Sequence, residues 1–226
     1  MHICLFDIDG TLLSSGGAGK AAMESALAAE FGLAQVQQGI PYSGRTDRAI
    51  GRDLLRFHDI DPSPANWRRL QDAYLGNLPA CLKRHNGKVL PGIAVLLEHL
   101  AGREQVVVGL LTGNIRAGAK LKLGHFDLFH HFKLGGFGDE HFERDDVARE
   151  ALAAARAYCD AVACERIWVV GDTPLDIRCA RAIGARVAAV ATGLHSLEQL
   201  EAERPDMLLA DLSDASRLLE MLSGQG

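Results

Sequence analysis

Four short apolar runs, 3–6, 106–111, 167–170 and 187–190, are rich in β-branched residues, and several end abruptly in Asp, Thr or Gly. Runs this short and this uniformly apolar are the pattern of parallel strands covered by helices on both faces. Between them, apolar residues recur at helical spacing over 93–100, 115–123, 145–158 and 174–183. Strand and helix therefore alternate through the second part of the chain, which predicts an α/β fold with an open, doubly wound parallel sheet.

The stretch 14–86 breaks that alternation. It carries helical patterns over 17–31, 46–58 and 65–84 and no buried-strand pattern, so it reads as an inserted helical domain. Its borders, Ser14-Ser15-Gly16-Gly17 and His85-Asn86-Gly87, have the chemistry of loops able to hinge. The expected division is an α/β core of 1–13 and 87–226 with a helical domain at 14–86. There is no internal repeat or low-complexity tract.

Composition narrows the partners. A chain of 226 residues, 48% hydrophobic, can bury a substantial core. With 24 Lys+Arg against 29 Asp+Glu, the formal charge of -5 gives no general attraction to nucleic acid or to an anionic membrane. Neither a signal-type segment nor an apolar run of membrane-spanning length is found, so a soluble, cytoplasmic protein is expected. Cys4, Cys81, Cys159, Cys164 and Cys179 contain no C-x-x-C pair and are expected to be reduced, mostly buried thiols.

Candidate chemistry lies where the strands end. Asp7-Ile8-Asp9-Gly10-Thr11 follows the first strand, and in extended backbone alternate side chains share a face, so Asp7 and Asp9 can converge on one site. That site would lie at the carboxyl end of the strand, where open α/β sheets bind ligands. Asp, Gly and Thr are also common turn residues, and ending a strand is the alternative reading of such a segment taken alone. Two further clusters argue otherwise: Leu111-Thr112-Gly113-Asn114 and Gly171-Asp172-Thr173-Pro174-Leu175-Asp176 finish two more apolar runs. Gly16-Gly17-Ala18-Gly19-Lys20 lacks the first Gly and final Ser/Thr of a nucleotide P-loop, and His125, His130 and His131 lack acidic partners at metal-ligand spacing.

In this order the motifs resemble the haloacid dehalogenase-like superfamily: a D-x-D-x-T first motif, a Ser/Thr second motif, a basic third and an acidic fourth, with 14–86 as the helical cap. The resemblance covers nearly the whole chain and is strongest to the phosphoglycolate phosphatase-like branch. True dehalogenases lack the acid that Asp9 supplies, and phosphonate-cleaving relatives depart from Asp there and use a cap lysine, so Asp9 favours phosphate ester chemistry and leaves Lys20 as a solvated cap residue. The resemblance implies that Asp7 is the nucleophile, forming an aspartyl-phosphate, and that Asp9 is the acid/base partner, with its pKa expected to be raised by neighbouring carboxylates. It implies Mg²⁺ held by Asp7, the Asp9 carbonyl and Asp172, with Asp176 either binding it, orienting its shell or simply charging a helix N-terminus.

Thr112 is expected to act on a phosphate oxygen, although N-capping of the next helix is compatible with that. Thr11, the amides of Gly113 and Asn114, and Arg45 are the expected substrate contacts; Arg45 lies in Ser43-Gly44-Arg45-Thr46-Asp47, which looks like the substrate-facing cap loop of that branch. The third-motif cation is assigned to Arg144, ahead of Lys120, Lys122 and Lys133; the first two lysines lie in a helical pattern and are expected to face solvent. A small phosphorylated metabolite, 2-phosphoglycolate or a sugar phosphate, is the expected partner of a monomer or small homo-oligomer. The rivals are a phosphotransferase or phosphomutase using the same two aspartates, and a noncatalytic binding module.

Overall fold

The computed structural model describes residues 1–159 and 163–222. Strands β1 (His2–Phe6), β4 (Val106–Leu111), β5 (Leu134–Gly136), β6 (Ile167–Gly171), β7 (Arg186–Val190) and β8 (Met207–Leu209) form one sheet in the order β5-β4-β1-β6-β7-β8. All of its pairings are parallel. Side chains alternate across it. Cys4 and Phe6 of β1 join Val108, Leu110, Trp168 and Val170 in one apolar cluster, which is covered by α4 (Ile93–Ala101), α5 (Arg116–His125) and α9 (Ser216–Leu222). Ile3 and Leu5 join Val107, Leu111, Ile167 and Val169 on the other face, under α6 (Arg144–Tyr158), α7 (Pro174–Ala182) and α8 (Leu197–Ala202). The sheet is the doubly wound one expected, with short edge strands β5 and β8 in addition.

Register places the site. Phe6 of β1 pairs with Leu110 of β4 and Val170 of β6, so the three central strands reach their carboxyl ends within a residue or two of one another. The Asp7 N–H extends the ladder by donating to the Val170 carbonyl at 3.0 Å.

Helices α1 (Ala18–Phe31), α2 (Asp47–Phe57) and α3 (Pro64–Arg84) lie between two short antiparallel strands, β2 (Leu13–Ser14) and β3 (Lys88–Val89), where the chain leaves the core and returns. Local sequence sets their ends. Thr46 and Ser63 cap α2 and α3 by accepting from the N–H three residues on, and Pro64 opens α3 where its missing N–H is harmless. The three helices bury a cluster of their own that includes Met23, Leu27, Ile50, Leu54, Trp67 and Tyr74, and the core contributes Ile115 to it. Described cysteines are all free, four of them buried and Cys164 half-buried. No described helix is long and apolar enough to cross a membrane.

Candidate active site

Asp7 lies buried at the end of β1, on the face covered by α6 and α7. Arg144, the first residue of α6, reaches it from that side. Its Nη1 donates to Asp7 Oδ1 at 3.3 Å, and Nη2 donates to Asp176 Oδ1 and to the Leu111 carbonyl. The guanidinium is almost wholly buried and is held strongly protonated by the two carboxylates it bridges. Burial pushes the Asp7 carboxyl up to about 6 against the pull of Arg144, with Asp176 and Asp9 adding to the rise.

Asp172, at the end of β6, completes this floor. Thr11 donates to its Oδ1 at 3.2 Å, which places the Thr11 hydroxyl on a carboxylate rather than on the cavity surface. Burial, then Asp176 and Asp7, raise Asp172 to about 8. Oxygen atoms of Asp7, Asp172 and Asp176 all lie within 4.8 Å of one another. Three crowded carboxylates facing one guanidinium leave uncompensated negative charge, and their all-oxygen donor set fits a hard divalent cation. Asp176 is already engaged on both oxygens: Oδ1 accepts from Arg144, and Oδ2 accepts from the Thr173 N–H and hydroxyl in a capping box at the start of α7. It therefore caps and charges the N-terminus of α7, one of the roles considered for it, and also anchors the guanidinium that reaches Asp7.

Asp9 faces the other way, toward α5 and the helical insert. Lys122 Nζ donates to Asp9 Oδ2 at 2.5 Å and to Asn114 Oδ1 at 2.6 Å, and Asn114 Nδ2 donates both to Asp9 Oδ2 and to Thr112 Oγ1. Two expectations are corrected here. Lys122 does not face solvent; only 4% of it is exposed, and it is the cation beside Asp9. The Asp9 carboxyl is held below its usual range rather than raised: burial pushes it up, but the attraction and hydrogen bond of Lys122, with the Asn114 amide, prevail. Lys122 is in turn held protonated against its burial by Asp9 and Asp47. A sequence signal for Lys122 existed, because it stands seven residues after Ile115 and beside Leu123 on the buried stripe of α5.

Thr112 is buried and spends its oxygen on Asn114, accepting from the main-chain N–H at 3.2 Å and from Nδ2 at 2.9 Å. The Asn114 amide is thus satisfied inside the protein, whereas the Gly113 N–H has no acceptor among the described residues. Thr112 does not cap α5. That helix begins two residues beyond Asn114, and its first N–H groups are taken by carboxylates: Ile115 donates to Asp47 Oδ2 at 2.9 Å and Arg116 to Asp139 Oδ2 at 2.8 Å.

Asp47 is the first residue of α2, so this bond ties the insert to the core. The Asp47 N–H also donates to the Gly113 carbonyl at 2.7 Å, and burial raises the Asp47 carboxyl to about 6. Gly113 must lack a side chain, since a Cβ there would overlap the Arg45 carbonyl. The Arg45 guanidinium itself is bound within the insert, to Asp53 at 2.5 Å and to the Pro41 carbonyl at 3.0 Å, although Arg45 lines the cavity. Lys20 is half-exposed, bonded to Gln38 at 2.7 Å, and lies at the cavity wall.

Between core and insert lies a cavity of about 490 Å³, which Asp7, Asp9, Lys122, Arg144, Asp172 and Tyr74 help to line. The sequence profile of the family described as haloacid dehalogenase-like hydrolase matches residues 4–190. The chain belongs to that family. Among curated relatives, a phosphoglycolate phosphatase from Synechococcus elongatus is 29% identical over 230 residues, covering 100% of each chain. A 5'-nucleotidase from Pseudomonas aeruginosa is 26% identical over 220 residues, covering 96% of this chain and 94% of that one. Among solved structures, CbbY from Rhodobacter sphaeroides in complex with phosphate superposes with a TM-score of 0.73 at 22% identity, covering 95% of this chain and 96% of that one. Asp47 is thus a contact between insert and core, at the end of the Ser43-Gly44-Arg45-Thr46-Asp47 segment that the sequence singles out for Arg45.

Proposed function

We propose that this hydrolase cleaves a small organic phosphomonoester through an aspartyl-phosphate on Asp7, with Mg²⁺ as its metal. The observation that carries this is the pairing of a buried Asp7, braced by Arg144 beside Asp172, with a second carboxylate, Asp9, lining the same cavity. Asp7 and Asp172 would hold the ion, with the Asp9 carbonyl as the third protein oxygen. When bound, it neutralises charge between carboxylate and phosphate.

Asp7 attacks phosphorus and the bond to the leaving oxygen breaks, with Asp9 giving that oxygen a proton. Water then attacks the acyl phosphate, Asp9 takes its proton, and inorganic phosphate leaves as Asp7 is restored. Lys122 keeps Asp9 ionised in the free protein, the form that the second half-reaction uses. Arrival of an anionic ester beside Asp9 favours its protonation for the first. Arg144 and the Gly113 N–H supply donors for phosphate oxygens.

A cavity of about 490 Å³ suits 2-phosphoglycolate or a sugar phosphate better than a phosphoprotein. The relatives' names support that class of substrate. Neither nucleic acid nor membrane enters this reading, which is of a cytoplasmic monomer or small homo-oligomer.

The test is phosphate release from a panel of small phosphomonoesters, with and without Mg²⁺, by the parent and Asp7→Asn. Removing the nucleophile is expected to lower kcat by on the order of 10⁴-fold or more in a protein that remains folded. Turnover by folded Asp7→Asn at the parent rate would refute the covalent step, and phosphate passed to a sugar hydroxyl without release would identify a transferase.

A further inference from the structure

On the cap-facing side of the cavity, Lys122 and Tyr74 hold hydrogen-bonding capacity beyond what the phosphate chemistry uses. Lys122 has three N–H groups, and among the described residues only Asp9 and Asn114 accept from it. Its ammonium is buried and lies against Gly19 of cap helix α1, where an added Cβ would come within 3.1 Å of Nζ. The third donor therefore has the cavity as its outlet. Tyr74 of cap helix α3 lines the same cavity, is 1% exposed, and makes no hydrogen bond to any described residue. Its hydroxyl lies beside α5, 3.3 Å from where a Cβ on Gly118 would be. A buried phenol with nothing to bond is costly unless a ligand or water completes it.

Lys122 stands beside Asp9, one hydrogen bond from where the departing oxygen must sit, and Tyr74 lines the same cavity. We propose that Lys122 and Tyr74 bind an acceptor oxygen carried on the leaving group next to the esterified carbon. The hydrolase then selects phosphate esters of hydroxy acids or polyols over simple alkyl phosphates. This rests on the phosphatase reading above and deepens it by assigning the leaving-group end of the cavity. A carboxylate and a hydroxyl offer the same acceptor oxygen, and Lys122 provides the charge that would favour the former. Acidic Asp47 also reaches this wall, but its Oδ2 is spent on the Ile115 N–H.

The experiment compares kcat and KM for 2-phosphoglycolate, glycerol 1-phosphate and propyl phosphate in the parent, Lys122→Met, Lys122→Arg and Tyr74→Phe. The parent is expected to prefer the two oxygen-bearing esters by about tenfold or more in kcat/KM, the scale of a hydrogen bond to a charged group. Lys122→Met disturbs Asp9 and so slows all three. The two oxygen-bearing esters should lose a further factor of about ten, chiefly in KM, with part restored by Lys122→Arg. Tyr74→Phe should cost those two esters several-fold and propyl phosphate nothing.

Equal losses across all three substrates in both variants would overturn the proposal, leaving Lys122 as a positioning residue for Asp9 and Tyr74 as core. So would a parent without preference. Calorimetric binding of 2-phosphoglycolate and propyl phosphate to Asp7→Asn, with and without Lys122→Met, gives the same contrast without turnover. If Asp7→Asn and the parent bind neither ester and the parent hydrolyses none, the phosphatase reading fails and takes this inference with it. Binding of both esters with equal affinity sinks this inference alone.

Discussion

Asp7 and Asp9 leave the same strand two residues apart, yet the two halves of the site they serve are built on opposite electrostatic plans. On the floor, Asp7, Asp172 and Asp176 crowd around a single guanidinium, and burial with mutual repulsion lifts Asp7 to about 6 and Asp172 to about 8. On the wall facing the cap, the Lys122 ammonium bonds Asp9 and holds its carboxyl down, with Asp47 farther along the same wall. The floor sets three carboxylates against one cation, whereas on the wall the ammonium is bonded to a single carboxylate, Asp9. A cation completes the first, whereas the second needs only an acceptor oxygen, so metal and leaving group are directed to different ends of one cavity.

Removing Arg144 should break the contrast most severely. Arg144→Met leaves two buried carboxylates without their partner, a loss of about 3–5 kcal/mol, or roughly 10 °C in Tm for a chain of this size. The orphaned acids escape by binding protons, so the loss should be smaller at pH 5.5 than at pH 8. Thermal unfolding at both pH values checks this, and an equal loss at each would mean that Arg144 serves packing alone.

Supplying the missing charge tests the floor from the other side. Asp7 and Asp172 have folded pKa values above the ordinary carboxylate value of about 4, so ionising them costs the folded state more than the unfolded chain. Metal-free stability should therefore decline as pH rises from about 4 to 8. Mg²⁺ at a hundredfold excess over its Kd stabilises by about 2.7 kcal/mol, and the gain should be largest at pH 8, where both acids are free of protons. Tm in Mg²⁺ against chelator across that range measures it. A gain that shrinks as pH rises would remove the floor as the metal site.

The join between core and cap is a third, weaker element. Asp47→Ala should cost about 1 kcal/mol through loss of an N-terminal cap on α5. Asp47→Asn keeps an acceptor for Ile115 and discards a charge whose folded pKa is raised to about 6. Stability that the parent loses between pH 4 and 6 should be retained by the Asn variant, and Tm against pH for the pair separates cap from charge.

The floor was legible because its residues end strands. Asp7 and Asp172 follow apolar runs directly, and parallel register alone brings such positions together. Arg144 was reached through family resemblance, and burial between Asp7 and Asp176 gives that choice a physical basis. The wall was not legible, because it is assembled from faces of separate helices. A helical pattern alone leaves Lys122 expected in solvent, whereas its position on the buried stripe of α5 turns it inward. Asp47 serves a helix 68 residues away, a pairing no local pattern encodes. Strand β5 escaped for another reason: Gly135 and Gly136 have low strand propensity, and Gly136 is needed because a Cβ would overlap the backbone of α6.

The smallest expected effect tests how tightly the wall is built. Gly19 is the second residue of α1, where alanine is favoured over glycine by no more than the ~0.5–1 kcal/mol of a helix interior, so Gly19→Ala should leave Tm unchanged or raise it slightly. The new methyl would lie 3.1 Å from Lys122 Nζ and 3.3 Å from Cε. An unrestrained lysine tip would swing aside at little cost. Here it is held by Asp9 and Asn114, so it yields only by loosening one of those bonds or by surrendering the donor that faces the cavity. A protein as stable as the parent but several-fold lower in kcat/KM would locate the loss at the Lys122 tip rather than in the fold. Parent-like turnover in the stabilised variant would show slack in the wall, and the contrast between a strained floor and a closely fitted wall would then rest on charge alone.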